Sequence, residues 1–196
     1  MKKKTLFLII AIAVLLICGI GIWCSNTKER KTITPDNPTL VFENAVNLDK
    51  EYVYLNHSQK YIYYETTAVL KDYLDDEACD GTIESVGSVL QFEDSKGPKV
   101  VLTTHRVDLN QYDIRDGFYV MNQPLNDITL NLTFEQAFEK MMKANYVKPH
   151  SRYCVLRKQV GPKVANPQYI FGNDKQDIFV DAITGDVTDK NPAFDE

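Results

Sequence analysis

The most constraining feature of this chain is a helix start that can be read from two side chains. Thr133 stands three residues before Gln136. That is the capping-box spacing, in which a hydroxyl and a side-chain amide satisfy N–H groups left without partners in a first helical turn. From there Phe134, Ala137, Phe138, Met141 and Asn145 recur at helical spacing, apolar except at the last, so one stripe should face a core. Glu139 and Lys143 fall off that stripe, four apart and acid first, the order that supports a helix. Pro149 forbids continuation and pushes Lys148 towards extended geometry, so the helix is expected to end near Tyr146. Three strand-like runs follow, at 152–160, 169–171 and 178–181, rich in residues that suit a pleated surface. Asn173-Asp174 marks one connection, and Thr184-Gly185 closes a turn before Val187.

The sequence LTFEQAF at the helix start and IFVDAITGDV at the end of the meander resemble the PepSY type of domain. Leu132, Glu135 and Ala137 correspond to that family's helix opening; Val180, Asp181, Ala182, Thr184, Gly185 and Val187 correspond to its closing hairpin. The resemblance covers roughly the last third of the chain. It implies a small cystatin-like α+β fold, usually extracytoplasmic, used for inhibition or binding and without catalytic residues. A long basic connection between Arg157 and Gln168, containing Gly161-Pro162 and Asn166-Pro167, departs from the pattern.

At the other end, residues 6–24 are uncharged and mostly apolar, and Lys2, Lys3 and Lys4 precede them. At about 1.5 Å per residue such a run is long enough to cross a hydrocarbon core. An uncleaved anchor is the favoured reading, with Trp23 at the interface. A cleaved signal peptide at Gly19 and Gly21 and lipid attachment at Cys18 or Cys24 are the alternatives. Lys28, Arg30 and Lys31 nearly balance the N-terminal lysines, but the short tail favours an inside N-terminus. The expected location is the bacterial inner membrane, single-pass, with the C-terminal domain in the periplasm. The chain then divides into an anchor (1–24), a polar linker with Pro35 and Pro38 (25–39), a β-rich N-terminal lobe (40–125) and a PepSY-like C-terminal lobe (126–196). The expected class is α+β, with a transmembrane helix ahead of an antiparallel β-rich lobe and a helix plus three-stranded meander.

Within the first lobe, 52–55 is a short strand candidate. Residues 61–74 fit either a strand or a tyrosine-rich helix, and a strand over 61–70 is favoured. Runs at 82–93 and 98–105 flank Asp94-Ser95-Lys96-Gly97, a hairpin signal. Asp116-Gly117 precedes a further strand candidate at 118–121. A helical 61–74 would make both lobes read helix-then-strands, hinting at a duplication that no residue-level repeat supports.

Leaving out Lys2, Lys3 and Lys4, the 22 basic residues become 19 against 27 acidic ones. That balance argues against nucleic acid, whose phosphates need the opposite sign, and favours a protein partner with a basic surface. The acidic run Asp75, Asp76, Glu77, Asp80 ahead of Gly81 lacks a calcium loop's ligands, because Ala78 and Gly87 occupy two ligand positions counted from Asp76. It reads as a solvated turn. His150 and Cys154 are two groups where a zinc site needs three or four. His57, His105 and His150 lie in no catalytic motif and read as surface or loop residues. No cofactor, metal or catalytic residue is assigned. Cys79 and Cys154, the two cysteines beyond the apolar run, are candidates for a disulfide, with two separate thiols as the alternative. A bridge closing a loop of about 75 residues could contribute about 4 kcal/mol. Arg157 and Asp181 are candidate contact residues that nothing raises above structural use.

The expected function is a membrane-anchored, extracytoplasmic protein-binding or inhibitory module without catalytic activity. Its sharpest form is an immunity protein held at the membrane against a toxin with a basic cleft. The alternative is a structural or assembly component of a cell-envelope complex.

Overall fold

A computed structural model describes residues 41–71, 81–106, 111–117, 122–144, 152–173 and 176–194. The apolar run at 6–24 and the linker lie outside them. Among the described residues no helix is long and apolar enough to cross a membrane.

The first described element is a helix, α1, Phe42–Asn56. It absorbs residues 52–55, which the sequence reading took for a strand. Phe42, Ala45, Val46, Asp49, Tyr52 and Val53 form its buried stripe at helical spacing. Asp49 breaks the apolar pattern in the middle of that stripe, which is why the period escapes a purely hydrophobic count. Four antiparallel strands follow: β1 Tyr61–Leu70, β2 Ile83–Asp94, β3 Gly97–Arg106 and β4 Gln111–Asp116. The strand reading of 61–70 and the β2–β3 hairpin are as expected. Gly97 takes φ +112 at the hairpin turn, a conformation glycine adopts without steric cost. β4 was not foreseen, and the strand expected at 118–121 lies outside the described residues. A two-residue strand, β5 Asn122–Gln123, pairs with β6.

The second helix, α2 Phe134–Lys143, has the expected capping box. Gln136 N donates to Thr133 Oγ1 at 3.3 Å, and Thr133 N donates to Gln136 Oε1 at 3.0 Å. Its stripe of Phe134, Ala137, Phe138 and Met141 is buried, and Lys143 bonds Glu139 at 3.1 Å. Then come β6 Tyr153–Gln159, β7 Gln168–Asn173, β8 Gln176–Asp181 and β9 Val187–Thr188. These match the three expected runs plus a short return strand after the Thr184-Gly185 turn, where Gly185 has φ +79.

Among the described residues the strands form one nine-stranded antiparallel sheet, in the order β4-β3-β2-β1-β6-β7-β8-β9 with β5 beside β6. The first strand of each half therefore lies at the centre, and each half runs outward from it. The join is the β1·β6 pairing, from Glu65 opposite Arg157 to Val69 opposite Tyr153. The α+β class is as expected, and the two expected lobes share one sheet and one core. Each half is a helix followed by an outward meander, an arrangement the sequence reading raised only for a helical 61–74; the helix that supplies it is α1.

The core lies between this sheet and the helices. Phe42 of α1 stacks on Phe134 of α2 at 5.4 Å, with Tyr169 edge-on to both. Truncating a buried aromatic of this kind costs about 3–5 kcal/mol, and losing an N-cap about 1 kcal/mol. Urea unfolding should accordingly show Phe134→Ala as severely destabilised and Thr133→Ala as mildly so, with Thr133→Ser close to the parent.

Candidate functional site

The helix side of the sheet carries a cleft of ≈ 330 Å³ where the two halves meet. One wall is α1, which presents Glu43, Val46, Asn47 and Lys50 in a single stripe because they are three, four and seven residues apart. The opposite wall is the strap of residues 125–133 leading into α2, and the floor is Tyr63, Leu156 and Tyr169. Backbone and side-chain bonds fix the strap at both ends. Leu125 N donates to Tyr63 O at 2.8 Å; the Asn126 amide accepts from Tyr63 N at 2.6 Å and donates to Tyr61 O at 3.0 Å. At the far end Asn131 and Leu132 donate their N–H groups to Ala182 O, and the Tyr169 hydroxyl donates to Leu132 O at 3.0 Å.

Charge in the cleft is arranged end to end. The Lys50 ammonium lies 4.4 Å from the centroid of the Tyr63 ring. Burial lowers its pKa, because a partly desolvated ammonium loses hydration that the ring quadrupole replaces only in part. Among the described residues no carboxylate lies within ion-pair distance of it. Glu43 occupies the other end, where its Oε1 accepts from Phe134 N at 2.7 Å. α1 thereby supplies a cap to α2 from 91 residues earlier. The two phenols are poor acids or bases here: burial pushes both upward, Tyr63 is bonded to Thr66 at 2.5 Å, and Tyr169 is committed to Leu132. The phenols are thereby committed to hydrogen bonds, and Lys50 is the cation that the cleft presents.

Beneath α1 lies a second polar group. Asp49 is fully buried and its Oδ1 meets His105 Nε2 at 2.5 Å, while Oδ2 has no hydrogen-bond partner among the described residues. His105, expected at the surface or in a loop, instead points into the core from β3 and is 4% exposed. The reason is strand alternation, which puts it on the same face as Val101 and Thr103. Tyr63, Thr66, Ser88 and Thr103 continue a line of buried hydroxyls across β1, β2 and β3. The pair is shielded from solvent and ties α1 to the third strand. His57 does lie exposed after α1, stacked on Phe92 at 4.8 Å.

The helix-free face carries a polar row set by register: Glu65 opposite Arg157, Arg157 opposite Gln168, and Gln168 opposite Asp181. Burial raises the Glu65 carboxyl, while Arg157 and an Asn122 amide at 2.7 Å act in the other direction without reversing it. Arg157 Nε and Gln159 Oε1 are buried and have no hydrogen-bond partner among the described residues. Burial would also raise Asp181, but the Thr184 and Ile183 N–H groups with the Asn166 and Gln168 amides hold it below the ordinary carboxylate range. Asp181 is thus a turn-organising residue and not a free contact. Cys154 is fully buried in β6 with no disulfide partner among the described residues, and burial pushes its thiol pKa well up. Cys79, the acidic run at 75–80 and His150 lie outside the described residues. Among the described residues no three His, Cys, Asp or Glu side chains are grouped to hold a metal ion.

The sequence reading missed Glu43, Asn47 and Lys50, because without α1 there was no face to place them on. No family model, no curated protein and no solved structure matches this chain.

Two measurements check these assignments. Removing one partner of a buried hydrogen bond costs about 1–3 kcal/mol, so Asp49→Ala should lower Tm by roughly 5 °C in a domain of this size. In carboxyl ¹³C titrations Glu65 should take up its proton above the usual glutamate pH and Asp181 below the usual aspartate pH. A depressed folded pKa means that the Asp181 contribution is complete above the unfolded aspartate pKa and is lost as pH falls through the folded value. Arg157→Met should move Glu65 higher still.

Proposed function

We propose that this chain is a membrane-tethered, extracytoplasmic binding module that holds a protein partner of basic surface without catalysing a reaction. The observation that carries the reading is the state of five described side chains that could act chemically, Asp49, His105, Tyr63, Tyr169 and Cys154. The carboxylate–imidazole pair is sealed under α1, both cleft phenols are bonded and raised by burial, and the Cys154 thiol is buried in the sheet. Catalytic acids, bases and nucleophiles need to reach a substrate; these groups are instead buried or committed to hydrogen bonds. The acidic balance supports a basic partner, which complementary charge would steer and orient. The apolar run at 6–24 supports a single-pass inner-membrane anchor with the folded part in the periplasm. The PepSY resemblance and the helix-then-meander order of α2 and β6 to β9 support a cystatin-like reading of the second half. An immunity protein that neutralises a toxin is the sharpest form of this function.

The alternative, an assembly component of a cell-envelope complex, is favoured by one feature: α1 exposes Tyr54 and Leu55, and β6 exposes Tyr153. Exposed aromatic and aliphatic side chains are common at protein interfaces.

The full-length chain, detergent-solubilised and used as bait in envelope extract, should retain one prey at about 0.1 M salt and lose it at about 0.5 M, where the Debye length is only a few ångströms. Salt-insensitive recovery of several envelope subunits would favour assembly, and a soluble enzyme activity assigned to the chain would overturn both.

A further inference from the structure

The cleft between α1 and the strap goes beyond a protein-partner reading and does not depend on it. Three observations define what it can hold. First, Lys50 carries a half-buried charge with an aromatic face below it and no carboxylate within ion-pair distance among the described residues. A cation that has lost part of its hydration gains more from an incoming anion than an exposed one does. Asn47, one turn earlier on the same stripe, is exposed at the cleft and adds an amide donor.

Second, Glu43 lies seven residues before Lys50, about 10 Å along the helix. Its carboxylate is already engaged with Phe134 N, and its charge repels an anion from that end. An anionic head is therefore directed to the Lys50 end. One ammonium and one amide suit a monoanion with two oxygens. A doubly charged phosphate would leave charge uncompensated in an acidic protein. Third, the lining between the two ends includes the apolar side chains Val46, Leu125, Ile128 and Leu130, beside the polar Asn131 and Thr133 of the strap. Its ≈ 330 Å³ is at the small end of the range for ligand pockets, about 300–1,000 Å³.

The geometry points to this cleft as a binding site for a carboxylate borne on a small apolar body, with the carboxylate on Lys50 Nζ and the Asn47 amide and the body against Val46 and the strap. The same chemistry is offered by a free hydrophobic acid and by the C-terminal residue of a polypeptide.

Isothermal titration of the full-length chain separates these. The probes are N-acetyl-leucine and N-acetyl-leucinamide, then a tetraalanyl-leucine peptide with a free or an amidated C-terminus. Each acid should bind at least about ten-fold more tightly than its amide, the difference expected of one charge-assisted contact. A peptide acid that binds ten-fold tighter than N-acetyl-leucine identifies a polypeptide C-terminus as the source; equal or weaker binding identifies the free acid. Saturation with the acid should also raise the Lys50 pKa, followed by ¹³C at its ε-carbon. Lys50→Met should abolish the preference for acid over amide, and Glu43→Gln should strengthen acid binding. Equal affinity for acid and amide, absence of heat up to 10 mM of every probe, or an acid preference that survives in a folded Lys50→Met variant would overturn the proposal. The acid–amide comparison on the unaltered chain decides the matter even where a variant does not fold.

Discussion

The pairing of β1 with β6 is the constraint on which the rest of the molecule depends. Each half alone would leave its first strand as an open edge, with a row of unpaired N–H and C=O groups. Placing the two first strands side by side and antiparallel satisfies both rows and turns two meanders into one sheet. The same step brings the two helices onto a shared face, where Phe42, Phe134 and Tyr169 meet. Burial of those rings is a large part of what favours the joined state, since each aromatic removes on the order of 150–250 Å² from water.

The cleft follows from that joining and from a local irregularity in β1. The β1–β2 register shifts between Tyr63 and Glu65, so β1 stops pairing with β6 at Glu65. β5 takes its place beside β6, and the strap docks on the freed backbone of Tyr61 and Tyr63. A bulge that ends one ladder and admits another chain segment is a common way to shape a sheet around a site. Lys50 and Glu43 face the resulting space because α1 packs across β1 and β2 beside Tyr63.

The inner polar groups divide the labour differently on the two faces. Under α1, Asp49 and His105 hold a helix that has no side-chain N-cap of its own. A buried pair of this kind costs desolvation and returns specificity of position more than raw stability. On the helix-free face the row from Glu65 to Asp181 crosses four strands at the central join. Its members are aligned by register, so a slip of one residue in any of these strands would send that strand's member to the other face.

Local chemistry alone determined the second half of the chain. The Thr133 and Gln136 box, the stripe from Phe134 to Met141, the β-branched and aromatic runs and the Thr184-Gly185 turn are short-range signals, and each is found where the residues place it. The β2–β3 hairpin was readable for the same reason, because Asp94 and Gly97 fix its turn. Only the tertiary structure decided the first helix. Asp49 occupies a core position that an apolar count scores as solvent, and the histidine that makes its burial tolerable is 56 residues away on β3. The strand order and the cleft belong to the same category. They depend on which distant strands share an edge, and on side chains such as Glu43 and Lys50 that acquire a common face only once α1 exists and the two halves have met.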